Sequence, residues 1–311
     1  MKRIEVLKKW NALIQEKREE IAKIMVSEVA KGYKASLSEV DRTVEYFDYT
    51  LEEAKRLEPS VFTGRGMGVN NKYALYDRVP KGVGLAISPF NYPLNLSMSK
   101  IAPDLVMGNT VVFKPATAGS LTGSYLGKLA VEAGLPKGIF NVVTGRGSVI
   151  GDIITQNQEL DFISFTGSVK VGHHILEIAK TKDVILELGG KDPALVLDAN
   201  NLEFVAEEII SGGLSYSGQR CTAIKRVLTT NAIADQLVPL LKEKISKLSV
   251  GKPEDDAFIT PVIDEKTADY VQGLIDDAQS DGATIVFGNS REKNLMQPTL
   301  VDRVDVKSRL A

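Results

Sequence analysis

The chain of 311 residues has one cysteine, Cys221, so no internal disulfide can form and nothing points to an oxidising compartment. Histidine is almost as scarce. The two present, His173 and His174, are adjacent, and adjacent helical residues point about 100° apart. They lack the i, i+4 spacing of a helical metal site and read as solvated helix surface, so a cysteine–histidine hydrolase finds no base here. Neither sign of charge prevails: 38 Lys and Arg stand against 40 Asp and Glu, a net charge of −2. That balance removes a whole-chain electrostatic case for nucleic acid or for an anionic membrane. No apolar run reaches the roughly 18 residues that a spanning helix needs. The basic start, Met1-Lys2-Arg3, leads into no apolar h-region. The expected setting is cytoplasmic, with no nucleic-acid and no membrane partner. No repeat of 20–50 residues is visible, and the acidic run Glu254-Asp255-Asp256 reads as solvated loop, so no metal is assigned.

What remains is ordinary globular composition, 43% hydrophobic and 25% charged, which excludes a disordered chain. At roughly 100–200 residues per domain, the length suggests about two domains. Residues 5–30 show a 3.6-residue apolar period through Val6, Leu7, Trp10, Leu13, Ile14, Ile21, Met25 and Val29 and predict one amphipathic helix. A second helix is expected over about 36–57, closed by Pro59. Residues 60–72, rich in Gly and Asn, read as loop, and 73–79 as a strand ended by Pro80. From 81 to about 190, apolar strand-like runs at Val83–Ser88, Thr110–Phe113, Phe140–Val143, Phe162–Phe165 and Val184–Leu188 alternate with four helical windows. This is the pattern of βαβ units around a parallel sheet, an α/β fold. Alternation resumes after Gly189-Gly190, with strands at 194–197, 226–229 and 283–287 and helices at 202–216, 232–248 and 266–280. Nothing at Ala311 reads as a finished C-terminus.

Several residues could carry chemistry. Cys221 lies in the small-residue turn Ser217-Gly218-Gln219-Arg220-Cys221-Thr222-Ala223. Gly218 gives the backbone room and Arg220 brings a positive charge beside the sulfur, both favouring a reactive thiolate; the alternative is a small buried hydrophobe. Glu187 ends the apolar run Val184-Ile185-Leu186, where partial desolvation would raise its pKa towards that of a general base; the alternative is a salt bridge with Lys191. Val143-Thr144-Gly145-Arg146-Gly147-Ser148-Val149-Ile150-Gly151 resembles a dinucleotide fingerprint but is one residue too long between its second and third glycines. Phe165-Thr166-Gly167-Ser168 puts a glycine and a hydroxyl at a helix N-terminus, a setting suited to pyrophosphate. Both turns also fit ordinary βα connections. Ser88-Pro89-Phe90-Asn91-Tyr92-Pro93 ends a strand at the edge where open sheets place ligands; the Asn91 amide could donate to an oxyanion or close an Asx turn. Lys114, in Phe113-Lys114-Pro115-Ala116-Thr117, would face the same crevice, or be a plain surface lysine.

Taken in order, Pro89-Phe90-Asn91-Tyr92-Pro93, Phe113-Lys114-Pro115, Phe165-Thr166-Gly167-Ser168, Glu187-Leu188-Gly189-Gly190-Lys191 and Gly218-Gln219-Arg220-Cys221 resemble the aldehyde dehydrogenase superfamily across nearly the whole chain. Lys114-Pro115-Ala116-Thr117 and Ser217–Ala223 look most like its non-phosphorylating, NADP-dependent glyceraldehyde-3-phosphate branch. The resemblance implies a Rossmann-type parallel-sheet cofactor domain plus an incomplete α/β catalytic domain. Its parts would be an N-terminal helical part at 1–72, an oligomerisation-arm strand at 73–80, an NAD(P)-binding domain at 81–189 and a catalytic part at 190–311. It implies a small-molecule aldehyde as substrate, Cys221 as nucleophile, Asn91 as oxyanion donor and Glu187 as base. Cofactor contacts would come from Ser88, Pro89, Lys114, Thr117, Gly147, Gly151, Gly167, Ser168, Leu188 and Gly189. Substrate contacts would come from Arg220, Arg42, Tyr92 and Thr222. A neutral Thr117 beside Lys114 suits a 2′-phosphate, hence NADP, with NAD as the weaker cofactor. The resemblance further implies a chain truncated at both ends, lacking a Glu-Glu-Pro-Phe-Gly-Pro motif and the partner of the arm strand through which the family forms homo-oligomers. The competing reading is a catalytically inactive or split fragment that keeps only a cofactor crevice.

Overall fold

The computed structural model describes residues 2–311, leaving Met1 outside. The chain forms two compact units, Met1–Ile21 with Ser38–Glu187, and Ala22–Leu37 with Leu188–Ala311. Three helices open it: α1 (Lys2–Glu16), α2 (Arg18–Val29) and α3 (Tyr33–Ala54). The single helix expected over 5–30 is thus two, interrupted at Lys17, although the i to i−4 bonds continue through Lys17 N–H to Leu13 O and Ile21 N–H to Lys17 O. A second correction concerns the arm. β1 (Ser60–Thr63), in the stretch expected to be loop, pairs antiparallel with β2 (Tyr73–Tyr76). The strand at 73–79 therefore has its partner immediately upstream, because Val61 and Phe62 are β-formers and the Gly-rich residues between them reverse the chain. Both strands are exposed throughout, Phe62 at 62% and Tyr73 at 79%.

The first unit is built on β3 (Val83–Ile87), α4 (Asn95–Met107), β4 (Thr110–Lys114), α5 (Ser120–Glu132), β5 (Phe140–Val142), α6 (Gly147–Thr155), β6 (Phe162–Thr166), α7 (Val169–Ile178) and β7 (Asp183–Glu187). The five strands form one sheet in the order β5-β4-β3-β6-β7, every pairing parallel. After β3 the chain winds outward through β4 and β5, then crosses to β6 and β7 on the other side. The reversal beside β3 opens a crevice at the strands' carboxyl ends, where doubly wound sheets bind ligands. Register aligns those ends: Ile87 lies opposite both Lys114 and Phe165, and Thr166 opposite Glu187.

Aromatic packing ties the leading helices to the sheet. Trp10 on α1 meets Phe47 on α3 edge-on at 5.9 Å and Phe140 on β5 at 5.2 Å, and Phe140 stacks on Phe113 of β4. Trp10, Phe47 and Phe113 are fully buried. Helix α4 carries Pro103 in its interior, which removes the N–H that would reach the Ser99 carbonyl; the Tyr46 hydroxyl of α3 donates to that carbonyl at 3.4 Å.

The second unit pairs β8 (Asp192–Val196) with β9 (Ile224–Thr229) in parallel, with a register shift at Pro193, which has no N–H for the ladder. Helices α8 (Leu202–Leu214) and α9 (Asn231–Ser246) pack on them through Ala206, Ile210, Ile233, Leu237, Leu241 and Ile245. Then come α10 (Glu265–Ser280), β10 (Thr284–Phe287), a short hairpin of β11 (Arg291–Glu292) and β12 (Leu295–Met296), and β13 (Leu300–Asp302), which pairs antiparallel with β10.

One buried acid makes the first unit pH-sensitive. Asp104 on α4 presses towards β3, where a Cβ on Gly84 would lie 3.0 Å from its Oδ2, and that oxygen has no hydrogen-bond partner. Burial pushes its pKa up to about 7, against the opposing pull of Lys100. A carboxyl whose folded pKa lies above its unfolded value favours the folded state most below about pH 4 and loses that contribution as pH rises through about 7. Asp104→Asn should therefore raise Tm at pH 8, by on the order of 2–4 kcal/mol in stability, with the gain fading towards pH 4–5. Thermal denaturation across that range reads it, and a gain independent of pH would contradict the assignment.

Candidate active site

In the first unit, the predicted ligand residues gather along the carboxyl edge of the sheet. Ser88, immediately after β3, is buried; its N–H donates to the Lys114 carbonyl at 3.3 Å, and its hydroxyl accepts from Ser97 at 2.8 Å. Pro89, Asn91 and Tyr92 follow, all half-buried. The Asn91 Oδ1 accepts from the Tyr92 N–H at 3.1 Å, which leaves Nδ2 as the donating end of the amide. The loop is held by a carboxylate from α3: Glu39, 3% exposed, accepts from the Leu94 and Asn95 N–H groups at 3.0 Å each. These are orphan donors of the α4 N-terminus, where no side chain of the helix itself caps.

Lys114 ends β4 and is 5% exposed. Its ammonium donates to the Pro115 carbonyl at 3.2 Å, and among the described residues it forms no ion pair. Burial pulls its pKa down, as expected of a cation that has lost water without gaining an anion. Thr117 beyond it is exposed. Gly167 follows β6, and a Cβ there would lie 2.4 Å from the Phe165 ring, so any larger residue would have to displace that ring. Its N–H donates to the Glu187 carbonyl at 3.1 Å, and Ser168 caps α7 by accepting from Val171 N–H at 3.3 Å. Gly147 opens α6 and Gly151 lies one turn on; a Cβ on either would meet only open space. These features suit a dinucleotide: a strand-order reversal, a helix N-terminus behind a close-approach glycine, and a buried cation without an anion.

Glu187 ends β7, and its expected desolvation is corrected. The residue is exposed, as are Asp183 and Ile185, because β7 is an edge strand of the sheet. Arg42 is exposed on α3. His173 and His174 are exposed on α7, His174 bonding Asp152 at 3.0 Å, as a solvated helix surface should.

In the second unit, Cys221 is exposed, which sets aside the alternative of a buried hydrophobe. The chain approaches it through three consecutive residues with positive φ: Tyr216 at 52°, Ser217 at 53° and Gly218 at 71°. Two of these are not glycine, and such backbone costs about 1 kcal/mol or more per residue unless its surroundings enforce it. They do. The Tyr216 hydroxyl donates to Val29 O at 2.9 Å, and Lys31 sits 4.7 Å from the centre of its ring. The Ser217 hydroxyl donates to Thr260 O at 2.7 Å and accepts from Thr260 N–H at 2.9 Å, while Gln219 Oε1 accepts from Ile263 N–H. Arg220 does not place its charge as the sequence suggested: its guanidinium turns to α8 and donates to the Gly212 carbonyl at 2.5 Å, with Nε buried and unpartnered. Thr222 is exposed. Gly190 rests against this turn. A Cβ on Gly190 would lie 3.5 Å from Cys221 O, and the Arg226 guanidinium donates to Lys191 O. Lys191 itself donates to Leu310 O at 3.3 Å.

The aldehyde dehydrogenase family model matches residues 1–311. The chain belongs to the aldehyde dehydrogenase family. It is 49% identical over 313 residues to the NADP-dependent glyceraldehyde-3-phosphate dehydrogenase of Streptococcus equinus, covering all of this chain and 66% of that one. It is 44% identical to the protein of the same name from Pisum sativum, covering 63% of it. A crystal structure of NADP-dependent glyceraldehyde-3-phosphate dehydrogenase from Bacillus halodurans C-125 complexed with NADP superposes with a TM-score of 0.97 at 52% identity, over 99% of this chain and 65% of that one. The chain thus spans just under two thirds of the length of these relatives.

Three further residues of this family member escaped the sequence reading. Lys100, on the buried face of α4, donates to Thr166 Oγ1 at 2.6 Å; burial lowers its pKa while Glu187 and Asp104 pull it back up. The signal was a lysine and an aspartate four apart amid Met98, Ile101, Ala102 and Leu105, the apolar positions of one helix. The third is Lys225, whose turn-binding role no spacing reveals. The capping carboxylate makes the prediction for this site: Glu39→Ala leaves two buried N–H groups unpaired and should lower stability by about 2–4 kcal/mol, while Glu39→Gln, which keeps the acceptor, should lose less than half of that in denaturant unfolding.

Proposed function

We propose that the protein oxidises a small phosphorylated aldehyde, glyceraldehyde 3-phosphate in the first instance, to the carboxylic acid with NADP as hydride acceptor and no inorganic phosphate. The observation that carries this reading is the exposed Cys221 on an enforced turn, in a chain whose other unit presents a dinucleotide-type crevice with a buried cation.

Each residue then has a chemical task. The Cys221 sulfur forms a bond to the aldehyde carbon, and the carbonyl electron pair moves to oxygen. The Asn91 Nδ2–H and the Cys221 backbone N–H hold that oxyanion. When bound, NADP supplies the acceptor for the hydride that leaves the same carbon, which converts the adduct to a thioester. Glu187 takes a proton from water, whose oxygen adds to the thioester carbon, and collapse returns the sulfur as thiolate and frees the acid. Ser88, Pro89, Gly167 and Ser168 would hold the pyrophosphate and nicotinamide side, Gly147 and Gly151 would lie towards the adenine, and Leu188 and Gly189 are further cofactor-binding candidates. Lys114 and Thr117 would receive the 2′-phosphate, a dianion that returns to the buried ammonium the counter-charge it lacks. Tyr92, Thr222, Arg220 and Arg42 are the substrate-side candidates, with Arg220 having to leave the Gly212 carbonyl to meet a phosphate. The exposed apolar side chains of the β1–β2 hairpin suit pairing with another copy. Among the described residues no helix is long and apolar enough to cross a membrane, and a cytoplasmic setting is our reading.

The test is NADPH formation from glyceraldehyde 3-phosphate in phosphate-free buffer, by absorbance. Activity in the native protein and its loss, at least 10³-fold, in a folded Cys221→Ser support the proposal; turnover by the serine variant or dependence on added phosphate overturns it. Cofactor choice has its own check. Thr117→Glu sets a carboxylate beside the site assigned to the 2′-phosphate and should shift the NADP-to-NAD ratio of kcat/KM towards NAD by at least tenfold. An unchanged ratio would remove Thr117 and Lys114 from that role.

A further inference from the structure

We propose that Lys225 is a positioning residue of the nucleophile turn: by gathering three carbonyls of that turn it fixes the direction of the Cys221 N–H and supplies the cation beside its sulfur. The Lys225 Nζ lies 3.0 Å from Arg220 O, 3.1 Å from Cys221 O and 3.3 Å from Ala223 O. An ammonium has three donors and no acceptor, and here all three are used on a single turn of chain. The consequence follows from peptide geometry. In a trans peptide the C=O of one residue and the N–H of the next lie in one plane and point in opposite directions. Holding Arg220 O towards Lys225 therefore aims the Cys221 N–H the other way. The Ala223 N–H, bonded to the same Arg220 oxygen at 3.2 Å, helps to hold that plane. Among the described residues the Cys221 N–H makes no hydrogen bond, so it is an aimed donor with nothing yet to bind.

The same contact carries an electrostatic argument. The three carbonyls turned to Lys225 belong to the turn that carries the sulfur; carbonyl oxygens alone disfavour a nearby anion, and a cation held among them offsets that. Arg220, the cation that the sequence suggested for this task, is turned to the Gly212 carbonyl, whereas the Lys225 ammonium bonds the Cys221 carbonyl itself. The charged groups around Lys225 are Asp192 at the start of β8, the Cys221 sulfur, Lys191 and Arg220. Burial lowers its pKa, Asp192 and Cys221 raise it, and the two cations lower it further.

The inference rests on the reading of Cys221 as nucleophile, but its test needs no turnover. Because the chain has one cysteine, alkylation by iodoacetamide reports on that sulfur alone, and its rate against pH gives the thiol's midpoint. Lys225→Met should move the midpoint up by about 0.5–1 pH unit and slow labelling at neutral pH by about 3- to 10-fold. Lys225→Arg, which keeps charge and donors, should stay within about twofold of the native rate. A folded Lys225→Met with the native profile, or an arginine variant shifted as far as the methionine one, overturns the proposal. Should the methionine variant not fold, Lys225→Gln takes its place, with the shift expected in Gln and absent in Arg; a native profile in Gln overturns it equally. Failure of the enzymatic reading would show elsewhere, as NADPH formation surviving Cys221→Ser, while the labelling shift at Lys225 persisted.

Discussion

The parallel pairing of β3 with β4 on one side and β6 on the other is the constraint from which the first unit takes its chemistry. It forces the chain to wind outward and then cross back, which opens the crevice where the order reverses. It also fixes which residues share the edge of that crevice, since Ile87 lies opposite both Lys114 and Phe165, and Thr166 opposite Glu187. Buried apolar side chains on β3, β4 and β6 (Leu85, Val111, Phe113, Ile163 and Phe165) drive the pairing, and the Trp10–Phe47–Phe140–Phe113 contacts lock the helices against it. Polar groups buried near the edge (Lys100, Lys114, Glu39, Ser88) each find a partner in the fold, except that Lys114 meets no anion.

The second unit uses a different device. Cys221 follows a stretch of backbone that most residues avoid, held there by side chains that reach distant points of the same unit: Tyr216 to Val29, Ser217 to Thr260 and Gln219 to Ile263. Helix and strand propensity cannot produce such a turn; only tertiary bonds can. Lys225 then draws the next carbonyls together, so that strain before Cys221 and clamping after it leave the sulfur exposed on a defined path of chain. Strain concentrated at a reactive group and compensated by surrounding bonds is the expected signature of a functional turn.

Much of this was legible in the residues, and the limits have physical causes. The five sheet strands and four intervening helices were read to within two or three residues, because short runs apolar on both sides alternate with helical windows between 83 and 187. The family was legible because five motifs recur in order, each of them a strand end or a turn. The hairpin of β1 with β2 was not, since Val61-Phe62 is too short a run to stand out from a Gly-rich neighbourhood. Glu187 was expected to be desolvated from the apolar residues before it, but strand sequence does not reveal sheet edge, and β7 is one. Arg220 was expected beside the sulfur because it is adjacent in sequence, yet a long side chain goes where it finds an acceptor, here the Gly212 carbonyl for one of its amino groups. Lys225 carries no motif, and only packing exposes what it does.

The central claim is that one sulfur, at position 221, carries the substrate's acyl group between oxidation and hydrolysis. Acid quenching of a single turnover with glyceraldehyde 3-phosphate and NADP, followed by peptide mass spectrometry, tests it directly. The account predicts a thioester mass on the peptide containing Cys221, present with oxidised nucleotide and absent without it. NADPH accumulating with that peptide unmodified throughout the quench series, or the acyl mass on any other residue, would contradict it.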